Sequence, residues 1–151
     1  MKTFEKFEKK VARFVFTNRM KTDMLFYGVV NGVDFYGNSY FFGRLADNFF
    51  DKKKFKEVDL SKIVKNYMIE PGDEMLAVPS FNITKSDNGL ELANFSISHG
   101  DDSPVEKASC NYKYYKLFEN DCMYIYDDNG VICLYDVNRS LIGVIAKVVN
   151  R

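Results

Sequence analysis

A chain of 151 residues that is 46% apolar and 16% aromatic has the material for one real core without staples. Its 21 basic and 21 acidic side chains cancel, and that apolar fraction excludes a disordered tail. Three prolines and nine glycines exclude a linker or a collagen-like chain, so the expectation is one domain over residues 1–151.

The first ten residues, MKTFEKFEKK, carry charges where a secretory signal needs an apolar run. No stretch reaches the roughly 18–20 apolar residues of a membrane span. Cys110, Cys122 and Cys133 form an odd set without CxxC spacing, each inside an apolar or aromatic run. They are expected to be buried thiols of a cytoplasmic protein with no membrane contact.

In chain order, Phe4, Phe7, Val11 and Phe14 recur at helical spacing, with Thr3 as cap. A strand over Val11–Phe16 competes with that helix. Asn31-Gly32 then divides two β-rich runs, and the dipeptide recurs as Asn88-Gly89 and Asn129-Gly130. Asn-Gly accepts positive φ at both central positions of a tight turn, so three hairpins are expected. Between the first two, Leu60, Ile63, Val64 and Tyr67 predict an amphipathic helix capped by Asp59.

The second hairpin is expected to pair residues 75–84 with 90–98. A one-residue change of phase between Leu92 and Phe95 suggests a bulge near Ala93-Asn94. Ser103-Pro-Val-Glu106 has capping-box spacing, and Val105, Ala108, Tyr112 and Tyr115 predict a helix behind it. In the third hairpin, a two-residue loop places Asp128 opposite Val131, Tyr126 opposite Cys133 and Tyr124 opposite Tyr135. Both of its faces are apolar, as in a strand covered on two sides. Residues 141–149 add a last strand. The fold class expected is α+β: an antiparallel meander of about 6–7 strands packed by two or three short helices.

Charge is polarised along the chain. Residues 1–66 hold 14 basic and 8 acidic side chains, net +6, and residues 67–151 hold 7 and 13, net −6. Asp73, Glu74, Asp101, Asp102, Asp127 and Asp128 all fall at expected turns or strand ends. Gathered at one end of a sheet, they would form an acidic rim that attracts a basic protein partner. Taken singly, such acids are ordinary turn chemistry.

A second constellation interleaves cations with rings. Lys52, Lys53, Lys54 and Lys56 flank Phe55, while Lys113 and Lys116 bracket Tyr114 and Tyr115. Single-stranded nucleic acid is held by phosphates on cations and bases on rings. Zero net charge and a pI near 6.6 argue against that role. A third, Ser98-His99-Gly100-Asp101-Asp102-Ser103, places the only histidine beside two carboxylates, as a hydrolase loop would. Strand end, turn and helix cap account for the same string.

No GxxxxGK[ST], GxGxxG or GxSxG motif occurs, and one histidine with scattered cysteines lacks zinc-finger spacing. No cofactor, metal or catalytic residue is expected. Asn82-Ile-Thr84, Asn94-Phe-Ser96 and Asn138-Arg-Ser140 match the glycosylation pattern, which is incidental without a secretory route. Fourteen Phe and ten Tyr exceed what one small core readily absorbs, so some tyrosines are expected on a binding surface. The Phe, Tyr, Asn, Lys and Ile bias equally fits AT-rich codons of a low-GC bacterium, phage or mobile element.

The function expected is that of a non-enzymatic accessory, regulatory or inhibitory protein. It would act on a protein partner through a charged and aromatic surface. Single-stranded nucleic-acid binding is the alternative, and a hydrolase built on His99, Asp101 and Asp102 comes after it.

Overall fold

The computed structural model describes residues 6–18, 25–45, 55–64, 67–69, 76–77, 81–97, 106–128 and 130–148. Mostly antiparallel β-structure dominates them, with two helices. The strands are β1 (Phe26–Val30), β2 (Val33–Gly37), β3 (Phe41–Arg44), β4 (Lys56–Glu57), β5 (Leu76–Ala77) and β6 (Phe81–Lys85). They continue as β7 (Glu91–Ile97), β8 (Glu106–Asn111), β9 (Tyr124–Asp128), β10 (Val131–Tyr135) and β11 (Leu141–Ala146). Instead of one meander of six or seven strands, these form an eight-stranded sheet, β4-β1-β2-β3-β11-β10-β9-β5, and a three-stranded sheet, β6-β7-β8.

Helix α1 (Lys6–Asn18) is helical throughout, which overturns the competing strand. Phe7, Val11 and Val15 are fully buried at i, i+4 and i+8. Each such side chain contributes about 1.5–3 kcal/mol by leaving water, so the stripe holds the helix on the large sheet. The same core holds Tyr36, Phe41, Ile132, Leu134 and Ile145 of that sheet, and Ala93, Phe95, Ala108 and Cys110 of the small one. The opposite face of the large sheet has its own core of Phe35, Phe42, Cys133, Tyr135, Leu141 and Val144, covered by Leu60, Val64 and Ile69.

β1 and β2 pair around Asn31-Gly32, where φ is 50° and 77°, with Val30 opposite Val33. β9 pairs with β10 in the register Asp128–Val131, Tyr126–Cys133 and Tyr124–Tyr135. Its tip residue Asn129 lies outside the described residues. Asn88-Gly89 is different: Ser86 N donates to Leu90 O, so the dipeptide sits within a longer loop.

Three expected elements change. The described residues of the expected helix, 60–64 and 67, hold a single 3-10 turn over Leu60–Lys62 in place of an α-helix. Asp59 does cap it, accepting from Ser61 N at 3.1 Å. Both ends of the segment are tied into extended structure, by Val58 N to Tyr27 O and by Leu141 N to Tyr67 O. Those sheet bonds outweigh a helical propensity worth tenths of a kcal/mol per residue.

Where a helix was expected behind Ser103, Glu106–Asn111 is a strand, followed by the one-turn helix α2 (Tyr112–Tyr115), capped by Asn111; Ser103 and Val105 themselves lie outside the described residues. Ala108 belongs to both a helical stripe and the period-two pair Ala108/Cys110, and pairing with β7 selects the second. The partner expected for residues 90–98 is also split. Leu76–Ala77 pairs with β9 in the large sheet, and only Phe81–Lys85 pairs with β7. Pro79, which has no N–H for a ladder, stands between them.

The register of β7 runs unbroken on both sides, so there is no bulge at Ala93-Asn94; Leu92 simply shares the outer face with Asn94. The irregularity lies elsewhere. Leu134 opposes Gly143 and Tyr135 opposes Leu141, leaving Ile142 as an extra residue of β11.

Candidate functional site

Strict alternation in the small sheet separates two chemistries. Phe95, Ala93, Ala108 and Cys110 turn into the core, while Asn82, Thr84, Asn94, Ser96, Lys107 and Ser109 occupy the opposite face. Register then lines them up: Asn82 lies opposite Asn94, Asn94 opposite Ser109, and Ser96 opposite Lys107. Beyond β8 the chain leaving β11 closes the wall. Val148 N donates to Ser109 O at 2.8 Å, and Cys110 bridges Lys147. The result is an open cleft of about 710 Å³ lined by these polar groups with Lys147 and Val148, and bordered by Phe81 and Ala108, whose places in the alternation face the core.

Asn94 organises the floor. Its Nδ2 donates to Asn82 Oδ1 at 3.1 Å and to Thr84 Oγ1 at 2.9 Å, and its Oδ1 accepts from Ser109 Oγ at 2.6 Å. One amide thereby spans all three strands and ties their polar side chains together. Lys107 and Lys147 both line the cleft, and among the described residues no carboxylate lines it. The site can hold a ligand by hydrogen bonds and positive charge.

These residues were passed over in the sequence. Their signal was the pair Asn82-Ile-Thr84 and Asn94-Phe-Ser96, two triplets whose period-two spacing sets four polar groups on one face.

The other candidates fare differently. Asp73, Glu74, Asp101 and Asp102 lie outside the described residues, as does His99. Asp127 and Asp128 end β9, paired with Ile132 and Val131. Among the cations, Lys52, Lys53 and Lys54 lie outside the described residues. Lys56 is exposed on β4 at the margin of the large sheet, and Lys113 and Lys116 are exposed beside α2. The rings meant to interleave with them turn inward, because Tyr114 and Tyr115 are buried.

Lys113 Nζ instead lies 5.3 Å from the Phe14 ring centre and 5.9 Å from that of Tyr114. Tyr40, at 62% exposure, stacks on Tyr114 and is the one tyrosine of the ten left largely in solvent. Two cores, one on each face of the large sheet, absorb the aromatic excess that suggested a tyrosine-lined surface.

Burial dominates the reactivity of the thiols. Cys110, Cys122 and Cys133 are all buried, and desolvation pushes the Cys110 and Cys122 thiols up to about 12. Such groups stay protonated and unreactive at neutral pH. Among the described residues no three His, Cys, Asp or Glu side chains gather where they would share a metal ion. None of the described helices is long and apolar enough to cross a membrane.

Compared with known proteins, the chain matches no family model, no curated protein and no solved structure.

Proposed function

We propose that the protein is a non-enzymatic binding protein which engages a protein partner through the polar cleft of the small sheet. The observation that carries this is the Asn82–Asn94–Ser109 row, cross-braced by one amide in a concave surface. Preorganised polar groups lose little side-chain entropy when a partner docks, so more of each hydrogen bond appears as affinity. An accessory, regulatory or inhibitory role in the cytoplasm of a low-GC bacterium, or in its phage or mobile elements, fits the composition. The nucleic-acid reading has less support, since two of its three Tyr112–Tyr115 rings are inside the core.

Affinity capture from a low-GC bacterial lysate tests the proposal with three baits. Ser96→Arg fills the cleft. Val137→Arg alters the exposed turn between β10 and β11, at the opposite end of β11 from Lys147. Wild type and Val137→Arg should retain the same partner, and Ser96→Arg should lose it. Equal capture by all three overturns the cleft as docking surface, and no specific partner at micromolar bait overturns the binding role.

A further inference from the structure

We infer that the outer edge of β6 pairs with β6 of a second copy of this chain, antiparallel about a twofold axis at Ile83. Among the described residues the other sheet edges are short or taken. The large sheet ends on β4 and β5, two residues each, and β4 carries the charges of Lys56 and Glu57. Short, charged edges resist further pairing. In the small sheet β8 is engaged on its outer side, where Val148 N donates to Ser109 O and Cys110 bridges Lys147. By contrast β6 has five residues, pairs with β7 alone among the described strands, and is exposed from Asn82 to Lys85.

Ladder parity determines which backbone groups that edge presents. Antiparallel partners alternate between pairs that exchange hydrogen bonds and pairs that do not. Ser86 N donates to Leu90 O, so by steps of two Thr84–Leu92 and Asn82–Asn94 are the bonded pairs. The far strand agrees. Ser109 O is spent on Val148, so Asn94, opposite Ser109, turns its own backbone groups to Asn82. The N–H and C=O groups of Phe81, Ile83 and Lys85 therefore point away from β7.

This edge is its own complement. With Ile83 on the axis, the two Ile83 residues exchange a pair of backbone bonds, and Phe81 of each copy does so with Lys85 of the other. Ile83 lies opposite Ala93 on the core side of the sheet, yet is 45% exposed, and its copy would cover it. Asn82 meets Thr84 on the polar side, which extends the cleft across the axis. Lys85, the one charge of the strand, stands four residues from its copy, about 13 Å, which exceeds the screening length of about 10 Å at 0.1 M salt. Both copies spend the same edge, so assembly stops at two.

Sedimentation equilibrium on the full-length chain from about 5 to 500 μM tests this, a range suited to a small, transient interface. The mean mass should rise from 17.5 kDa towards twice that value. Amide exchange read by NMR should slow at least about twofold at Ile83 and Lys85 between about 50 and 500 μM. Asn82 and Thr84, already bonded to β7, should not change. Ile83→Lys sets two like charges on the axis and should keep the chain monomeric, with near-ultraviolet circular dichroism showing that its packing survives. Val137→Lys, in the exposed β10–β11 turn, should pair as wild type does.

A single-chain mass throughout, a dimer that survives Ile83→Lys, or exchange at Ile83 and Lys85 that ignores concentration each overturns the inference. None of these readouts involves a ligand of the cleft, so the binding role proposed above stands or falls separately.

Discussion

Two glycines show how differently one residue type is used at the residue scale. Gly32 has φ +77° with nothing within 4 Å of where a Cβ would stand. Gly32→Ala should therefore cost only the left-handed backbone penalty, about 1–2 kcal/mol. Gly143 has no such φ, but a Cβ there would lie 2.7 Å from Phe118 Cζ, and one on its cross-strand partner Gly43 would lie 2.6 Å from Val11 Cγ2. Phe118 and Val11 are fully buried and have nowhere to retreat. Gly143→Ala should cost about 1–3 kcal/mol through overpacking. Urea denaturation distinguishes the two mechanisms: adding Phe118→Leu should recover part of the Gly143→Ala loss and none of the Gly32→Ala loss.

Among elements, the joint between α1, β3 and the β10–β11 turn is electrostatic. The Arg44 guanidinium lies 3.9 Å from Glu8 and 3.8 Å from Asp136, and 5.1 Å from the centre of the Phe7 ring. Both carboxylates are buried. Asp136 Oδ1 also accepts from the Asn138 and Ser140 backbone amides. Arg44→Met should destabilise by an amount at or below the roughly 3–5 kcal/mol of a broken buried pair. Adding Glu8→Gln should restore part of it, since one of the two buried carboxylates that lose the guanidinium is then uncharged. A midpoint that Glu8→Gln lowers further would show that the packing of Arg44 on Phe7 matters more than its charge.

On the scale of the whole molecule, the large sheet keeps the two halves of the chain apart. Strands from residues 26–57 fill one side and strands from 76–146 the other, meeting at the β3–β11 seam. In the described strands the two halves of the chain thus lie side by side in that sheet, and α1 of the first half shares a hydrophobic core with the small sheet of the second.

The buried thiols give this assembly a pH signature. Below about pH 9, Cys110 and Cys122 carry their protons in both folded and unfolded chains. Between 9 and about 12 the unfolded chain releases them and the folded chain holds them. The unfolded state then binds fewer protons, so stability falls as pH rises, by about 1.4 kcal/mol per pH unit for each such group. Tyr36, pushed up to about 12 by burial and by the Asp34 charge, adds to the fall above 10. Urea midpoints near pH 7.5, 9 and 10.5 should show a plateau and then a decline. The double variant Cys110→Ala, Cys122→Ala should decline less steeply, and an identical slope would remove the thiols as the cause.

Local patterns went furthest where one periodicity dominated. The Phe7–Val11–Phe14 stripe pointed to the helix that forms, although a strand over Val11–Phe16 competed with it and the structure decided between them. Alternation around residues 124–135 determined a register and two apolar faces, because slipping by one residue would turn every side chain over. Asp59 was legible as a cap, though not the length of what it caps.

Only the tertiary structure decided what depends on distant partners. The turn at Leu60–Lys62 is flanked by bonds from Val58 to Tyr27 and from Leu141 to Tyr67, and Ala108 joins a strand because β7 lies beside it. The cleft belongs to this second kind. Asn82, Asn94, Ser109 and Lys147 are separated by 12, 15 and 38 positions in the chain. A strand's own sequence sets which face each residue occupies, but pairing alone sets which residues become neighbours.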